Sequence, residues 1–142
     1  MIGPQLAERQ DLESGSVLPD LRKPPITKLQ LVKYAGASGD YNLIHTDDET
    51  ARSVGLEGVI AHGMLSMAFL GQMLTDWLAS RETPAGWVAR LRVRFQGMVR
   101  PGDTLICRGA LGERGTGRQW LEVWVENQGG ERVLSGDADV TL

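Results

Sequence analysis

The stretch that most limits how this chain can fold runs from Gly63 to Leu78. Met64, Leu65, Met67, Ala68, Phe69, Leu70, Met73, Leu74, Trp77 and Leu78 leave almost no polar face on a helix of that length. A helix apolar nearly all round must be enclosed by other structure. His62, Ser66, Gln72 and Asp76 interrupt the wider run too often for a membrane span, which needs about 20 predominantly apolar residues. The enclosing partner follows in the sequence. After Pro84 and Gly86 the hydrophobic period changes to two, with Leu91, Val93 and Phe95 on one face and Arg90, Arg92 and Arg94 on the other. Three more strands are expected, over 104–111, 120–126 and 132–142. They are separated by the turn Arg100-Pro101-Gly102-Asp103, a glycine-rich hairpin connection over 112–118 and the N-Q-G-G turn at 127–130. The class is α+β: one long buried helix, then an antiparallel meander that wraps it.

Upstream of that helix the signals are local. Residues 1–14 carry no periodicity and read as an irregular N-terminal segment. Ser16 to Arg22 reads as an irregular edge strand, broken by Pro19 and closed by Pro24 and Pro25. Thr27 with Gln30 three residues on matches a capping box, and Ile26 and Leu31 occupy the staple positions around it. A helix over 28–37 follows, ended by Gly36 and Gly39. Thr46 and Glu49 repeat the box, Asp47 and Asp48 suit a helix N-terminus, and Gly55 supplies a stop. A second short helix is therefore expected directly after His45, so the intervening segment from Ser38 to His45 is held at both ends.

That segment carries the chemistry. It places Asp40 five residues before His45, one of only two histidines in the chain. On a continuous helix this spacing would leave the side chains about 140° apart, so an Asp/His pair requires a non-helical loop. Such a pair can hold one water and exchange its protons near neutral pH. On spacing alone, an Asx-turn aspartate and a helix-flanking histidine fit equally well. The second histidine, His62, precedes Gly63 at the start of the apolar helix. A glycine there lets a substrate oxygen approach unpaired backbone N–H groups, where an enolate-like oxygen would be stabilised. The plain alternative is a polar and a flexible residue entering a core helix. Ser66, one turn on, is a weaker supporting candidate. Arg90, Arg92, Arg94 and Arg100 read as a solvated strand face or, alternatively, as contacts for coenzyme A phosphates or an acidic carrier protein. Trp120 and Trp124, on the less apolar face of their strand, point to a covered surface. No ligand spacing suggests a metal site.

Several classes are disfavoured by the chain as a whole. With 142 residues and a net charge of −3 it fits one domain, spanning 1–142, without a basic footprint for nucleic acid. The single Cys107 cannot form an internal disulfide and reads as a bystander in a reducing compartment. No leader-like pattern opens the sequence, so a cytoplasmic location is expected.

Taken together, Tyr34, Ser38-Gly39-Asp40, Asn42, His45, Ala51, the block I-A-H-G-M at 60–64, Phe95 and P-G-D at 101–103 resemble the hydratase 2 motif of MaoC-like (R)-specific enoyl-CoA hydratases and dehydratases. The resemblance implies a hot dog fold, in which an antiparallel sheet wraps a central helix. It implies syn addition of water to a 2-enoyl thioester of coenzyme A or acyl carrier protein, or the reverse dehydration, without a cofactor. Asp40 and His45 would activate the water, Gly63 would supply the oxyanion-hole N–H, and Asn42 would hold the loop. Two such domains commonly pair, so a homodimer is expected, with a heterodimer as the variant found in some relatives. One departure is visible: Leu43 stands where the motif usually has proline, which frees the loop backbone. A hot dog thioesterase, and a non-catalytic acyl-CoA-binding or heterodimer-partner subunit, are the alternatives; retention of both Asp40 and His45 counts against the last two.

Overall fold

The computed structural model describes residues 13–81 and 86–142. The expectations for the first twelve residues and for a break at Pro84 lie outside these. The N-terminal edge is as irregular as its prolines require. Leu18 N–H bonds to Gly109 O, and strand β1 (Leu21–Arg22) pairs with Cys107 and Ile106. Helix α1 (Lys28–Ser38) starts where the capping box puts it: Thr27 Oγ1 accepts the Gln30 N–H at 3.1 Å. Both staple residues, Ile26 and Leu31, are buried. Only one glycine ends this helix. Gly36 lies within it, whereas Gly39 takes the left-handed conformation at φ 76° and caps it.

The second cap falls one residue later than its sequence pattern suggests. Leu43–His45 forms a 3₁₀ turn, closed by Thr46 N–H to Leu43 O, and helix α2 (Asp48–Ser53) is capped by Asp47 rather than Thr46. Asp47 accepts from both the backbone N–H and the hydroxyl of Thr50. With the Thr46 backbone committed to the turn, the carboxylate next to it becomes the cap, and aspartate is the stronger capping residue of the two.

Helix α3 (Gly63–Ala79) carries the core, burying Leu65, Phe69, Leu70, Met73, Leu74 and Leu78. It packs on strands β2 (Trp87–Phe95), β3 (Ile106–Gly115) and β4 (Arg118–Glu126), which with β5 (Arg132–Thr141) and β1 form one five-stranded antiparallel sheet. Leu121, Val123, Val125, Leu134 and Ala138 meet the helix from the sheet's inner face. Two details depart from a simple wrapped meander. The strand order is β1-β3-β4-β5-β2, so only β3, β4 and β5 run as neighbours; the ten residues after Phe95 carry the chain to the other side, and β2 becomes the edge beside β5. Helix α3 is also enclosed on one side only, since Met64, Ala68, Gln72 and Thr75 stay exposed in the single chain. The hairpin between β3 and β4 is shorter than its glycine content suggests: Gly115 pairs with Arg118, leaving Thr116 and Gly117 as the turn.

The two tryptophans on β4 differ: Trp120 stays exposed, whereas Trp124 is covered within the chain. Trp124 donates its indole N–H to Glu126 and is overlain by Arg132, so its outward face is covered internally. Cys107 is fully buried, and burial pushes its thiol up to about 12, which makes it inert at neutral pH. Among the described residues no helix is long and apolar enough to cross a membrane.

Candidate active site

The segment after α1 is built from nested short-range bonds. Gly39 turns the chain out of the helix, and Asp40 N–H reaches back to Ser38 Oγ. Asp40 Oδ1 then accepts the Asn42 N–H, and Asn42 Oδ1 accepts the Ile44 N–H, each at 3.2 Å. These successive Asx-type turns are what aspartate and asparagine do best in non-helical backbone. They leave Asp40 Oδ2 unengaged by the loop, and it lies 3.7 Å from His45 Nε2. The five-residue spacing is thus resolved as required, by a loop and one 3₁₀ turn.

His45 is buried at 8% exposure, while the Asp40 side chain is about half exposed. The other ring nitrogen, Nδ1, sits 2.7 Å from the carbonyl oxygen of Ile60. A carbonyl only accepts, so Nδ1 carries the hydrogen, and in the neutral ring Nε2 presents its lone pair towards Asp40. The 3.7 Å gap is too long for a direct hydrogen bond and leaves both groups facing one small volume, where a single water can bond to each.

The block from Ile60 to Gly63 closes this site from the other side, each residue through a different contact. Ile60 exchanges bonds with the 3₁₀ turn, its N–H going to Ile44 O and its O accepting from His45. Ala61 N–H bonds to Val99 O at 2.7 Å. His62 donates from Nε2 to the Asp40 carbonyl at 3.1 Å. Gly63 begins α3, and a side chain there would place its first carbon 2.9 Å from Phe95 Cε1. The His62 side chain does not cap the helix, and no acceptor among the described residues takes the Gly63 N–H. A free donor at the positive end of a 17-residue helix, bordered by a half-exposed phenyl ring, is a ready position for a developing oxyanion.

The other candidate residues are distributed unevenly. Ser66 is buried one turn into α3, and among the described residues its hydroxyl bonds to neither Asp40 nor His45. Arg90 and Arg92 do not come to the site. They project from the outer sheet face and are committed to carboxylates across from them: Arg92 makes a two-pronged contact with Asp137, and Arg90 lies 2.8 Å from Asp139. Arg92 is held more firmly protonated by that hydrogen bond and by the charge behind it. Arg94 shares the outer face, opposite Ser135. Arg100 follows the Val99 whose carbonyl takes the Ala61 N–H, and its guanidinium lies 3.6 Å from Glu57.

Asp40, His45 and His62 each bring a donor atom within 4.8 Å of the other two, a grouping that sequence spacing does not reveal. The ring geometry argues against chelation. His45 and His62 are stacked, with centroids 3.8 Å apart and planes 26° apart. A metal must lie near the plane of each imidazole that ligates it, at about 2.0–2.1 Å from nitrogen, and stacked rings offer no such shared point. Two contributors have no separate signal in the sequence. The Ile60 carbonyl sets the His45 tautomer, and the Tyr34 ring meets His62 edge-on at 4.9 Å; both positions belong to the motif, but only tertiary structure gives them a role.

Comparison with known proteins bears on the family and the fold. The family model described as "MaoC like domain" matches residues 17–129. A fatty acid synthase subunit beta from Aspergillus oryzae is 38% identical over 108 residues, covering 75% of this chain and 5% of that protein. The chain therefore spans only a small part of the curated relatives it matches. Among solved structures, the R-hydratase PhaJ1 from Pseudomonas aeruginosa superposes with a TM-score of 0.80 at 28% identity, covering 92% of this chain and 82% of that one. The (R)-hydratase from A. caviae gives 0.82 at 24% identity, covering 94% and 98%. The architecture is the hot dog fold.

Proposed function

The chain belongs to the MaoC-like domain family, and on that premise we propose that it is a hydratase or dehydratase acting on a 2-enoyl or (R)-3-hydroxyacyl thioester of coenzyme A or acyl carrier protein. The observation that carries the reading is the Asp40–His45 pair, 3.7 Å apart with the His45 lone pair turned towards the carboxylate. In hydration, His45 Nε2 takes a proton from the shared water as the water oxygen bonds to C3. Asp40 Oδ2 orients that water through its other hydrogen and offsets the imidazolium that forms. The electron pair of the double bond moves onto the thioester oxygen, which rests against the Gly63 N–H. The imidazolium then returns its proton to C2. Dehydration retraces these steps. Delivery of both groups from one side accounts for syn addition. An exposed face of α3 and the unpaired edge of β2 support pairing with a second copy.

The test is to incubate the purified chain with crotonyl-CoA. We expect the enoyl absorbance to fall, no free thiol to appear, and chiral analysis to find the (R)-3-hydroxy product. Thiol release from a saturated acyl-CoA without change in an enoyl-CoA would replace this reading with the thioesterase one.

A further inference from the structure

We propose that His62 is a positioning residue that aligns Asp40, His45 and Gly63 as one unit, acting mainly through its hydrogen bond to the Asp40 carbonyl. The inference rests on the function proposed above. His62 is 2% exposed, yet at the N-cap of α3 its side chain makes no capping bond. Burying an imidazole costs free energy unless its polar atoms are used. Only one of them is. Nε2–H donates to Asp40 O across 22 residues of sequence, and among the described residues the buried Nδ1 has no partner. A carbonyl acceptor fixes the hydrogen on Nε2, so the neutral ring carries only a lone pair at Nδ1.

The same ring lies flat against His45 at 3.8 Å and takes the edge of Tyr34 at 4.9 Å. One side chain therefore touches the peptide of the acid and the ring of the base, and is bonded through the chain to the oxyanion donor. The loop's own bonds do not supply this. The Ser38, Asp40 and Asn42 side chains tie the loop to itself, whereas His62 ties it to the helix start. Without that bond the Asp40 turn is held only by its own short-range bonds, so it opens more often and loses its register against Gly63. A displacement of about 1 Å in such a site can cost about 100-fold in rate.

The test uses two variants of the full chain. His62→Phe keeps the ring and its volume but removes the donor; His62→Gln places an amide N–H near the position of Nε2 without the ring. For His62→Phe we expect the Asn42 and Ile44 amides to exchange with solvent at least about tenfold faster, kcat for crotonyl-CoA to fall by about 10–100-fold, and KM to stay within about twofold. His62→Gln should recover most of both losses. Wild-type exchange and kcat in His62→Phe would overturn the proposal, as would faster exchange with unchanged kcat, or a loss in His62→Gln as large as in His62→Phe. Should His62→Phe not fold, His62→Gln decides alone: near wild-type loop protection and kcat support the proposal, and loss of either overturns it. A wild-type chain that turns over no enoyl thioester defeats the functional reading instead, while the amide exchange still reports whether His62 holds the loop.

Discussion

Leu43 is where the chain departs from its family's motif, and the structure makes a quantitative prediction for restoring proline. Leu43 is the first residue of the 3₁₀ turn, so its N–H has no intrahelical acceptor, and none elsewhere among the described residues takes it. Asn42 before it is at φ −60°, ψ 123°, the extended conformation that a following proline demands. The Leu43 carbonyl, which accepts from Thr46 and Asp47, is unaffected by the change. Reducing the entropy of the unfolded chain at a compatible site stabilises by about 0.4–1 kcal/mol. Against that, the Leu43 side chain is 54% exposed, so exchanging it for the smaller ring forfeits roughly half of one buried carbon, about 0.4 kcal/mol. The net gain is up to about 0.6 kcal/mol, or a rise of about 1–2 °C in Tm for a domain of this size.

The neighbouring position is the control. Ile44 N–H bonds to Asn42 Oδ1, and proline there removes that bond inside the turn at a cost of about 3 kcal/mol, enough to lower Tm by about 10 °C. Calorimetry on Leu43→Pro and Ile44→Pro should give shifts of opposite sign, with wild-type turnover in the first. Destabilisation of similar size in both would refute the description of this loop.

Two further outcomes follow from contacts around the site. Gly63→Ala should destabilise by about 1–3 kcal/mol, because its new carbon would meet Phe95 Cε1 at 2.9 Å; in denaturant titrations, adding Phe95→Leu should recover part of that loss, and strictly additive costs would show that the ring is not the obstacle. The Asp48 carboxyl is held below the usual carboxylate range, first by its hydrogen bond from Lys28 and then by the Val59 N–H. Its folded pKa lies below its unfolded one, so its contribution is present above the unfolded value and is lost as pH falls through the folded value. Asp48→Asn should flatten the acid side of a Tm-against-pH curve and leave the curve parallel to wild type above about pH 6; an unchanged acid limb would contradict this.

What could be read from the sequence was whatever short-range chemistry decides. The Thr27–Gln30 box located α1 because its bond spans three residues and competes with nothing. The Thr46–Glu49 box failed by one position because Asp47 stood beside it and the Leu43 carbonyl had already claimed the Thr46 N–H. The period-two pattern of 90–95 identified β2 as a strand but not its neighbour, since pairing with β5 depends on where the chain goes after Phe95. Asp40 and His45 could be named as a pair from spacing and motif, yet their separation and the His45 tautomer depend on Ile60, whose contribution is a backbone carbonyl that any residue could supply. The arginines of β2 were legible as a charged face; that Asp137 and Asp139 answer two of them is a property of register.

The central claim is that His45 and Asp40 act together on one water, the first exchanging its proton and the second orienting it, and steady-state hydration of crotonyl-CoA by Asp40→Asn and His45→Gln measures it most directly. Each variant should melt within a few degrees of wild type and lose about 10²–10⁴-fold in kcat, the usual contribution of a positioned acid or base. Combining them should cost little more than either alone, because the two groups act on the same water. A folded variant of either kind that hydrates the substrate at the wild-type rate would contradict the account.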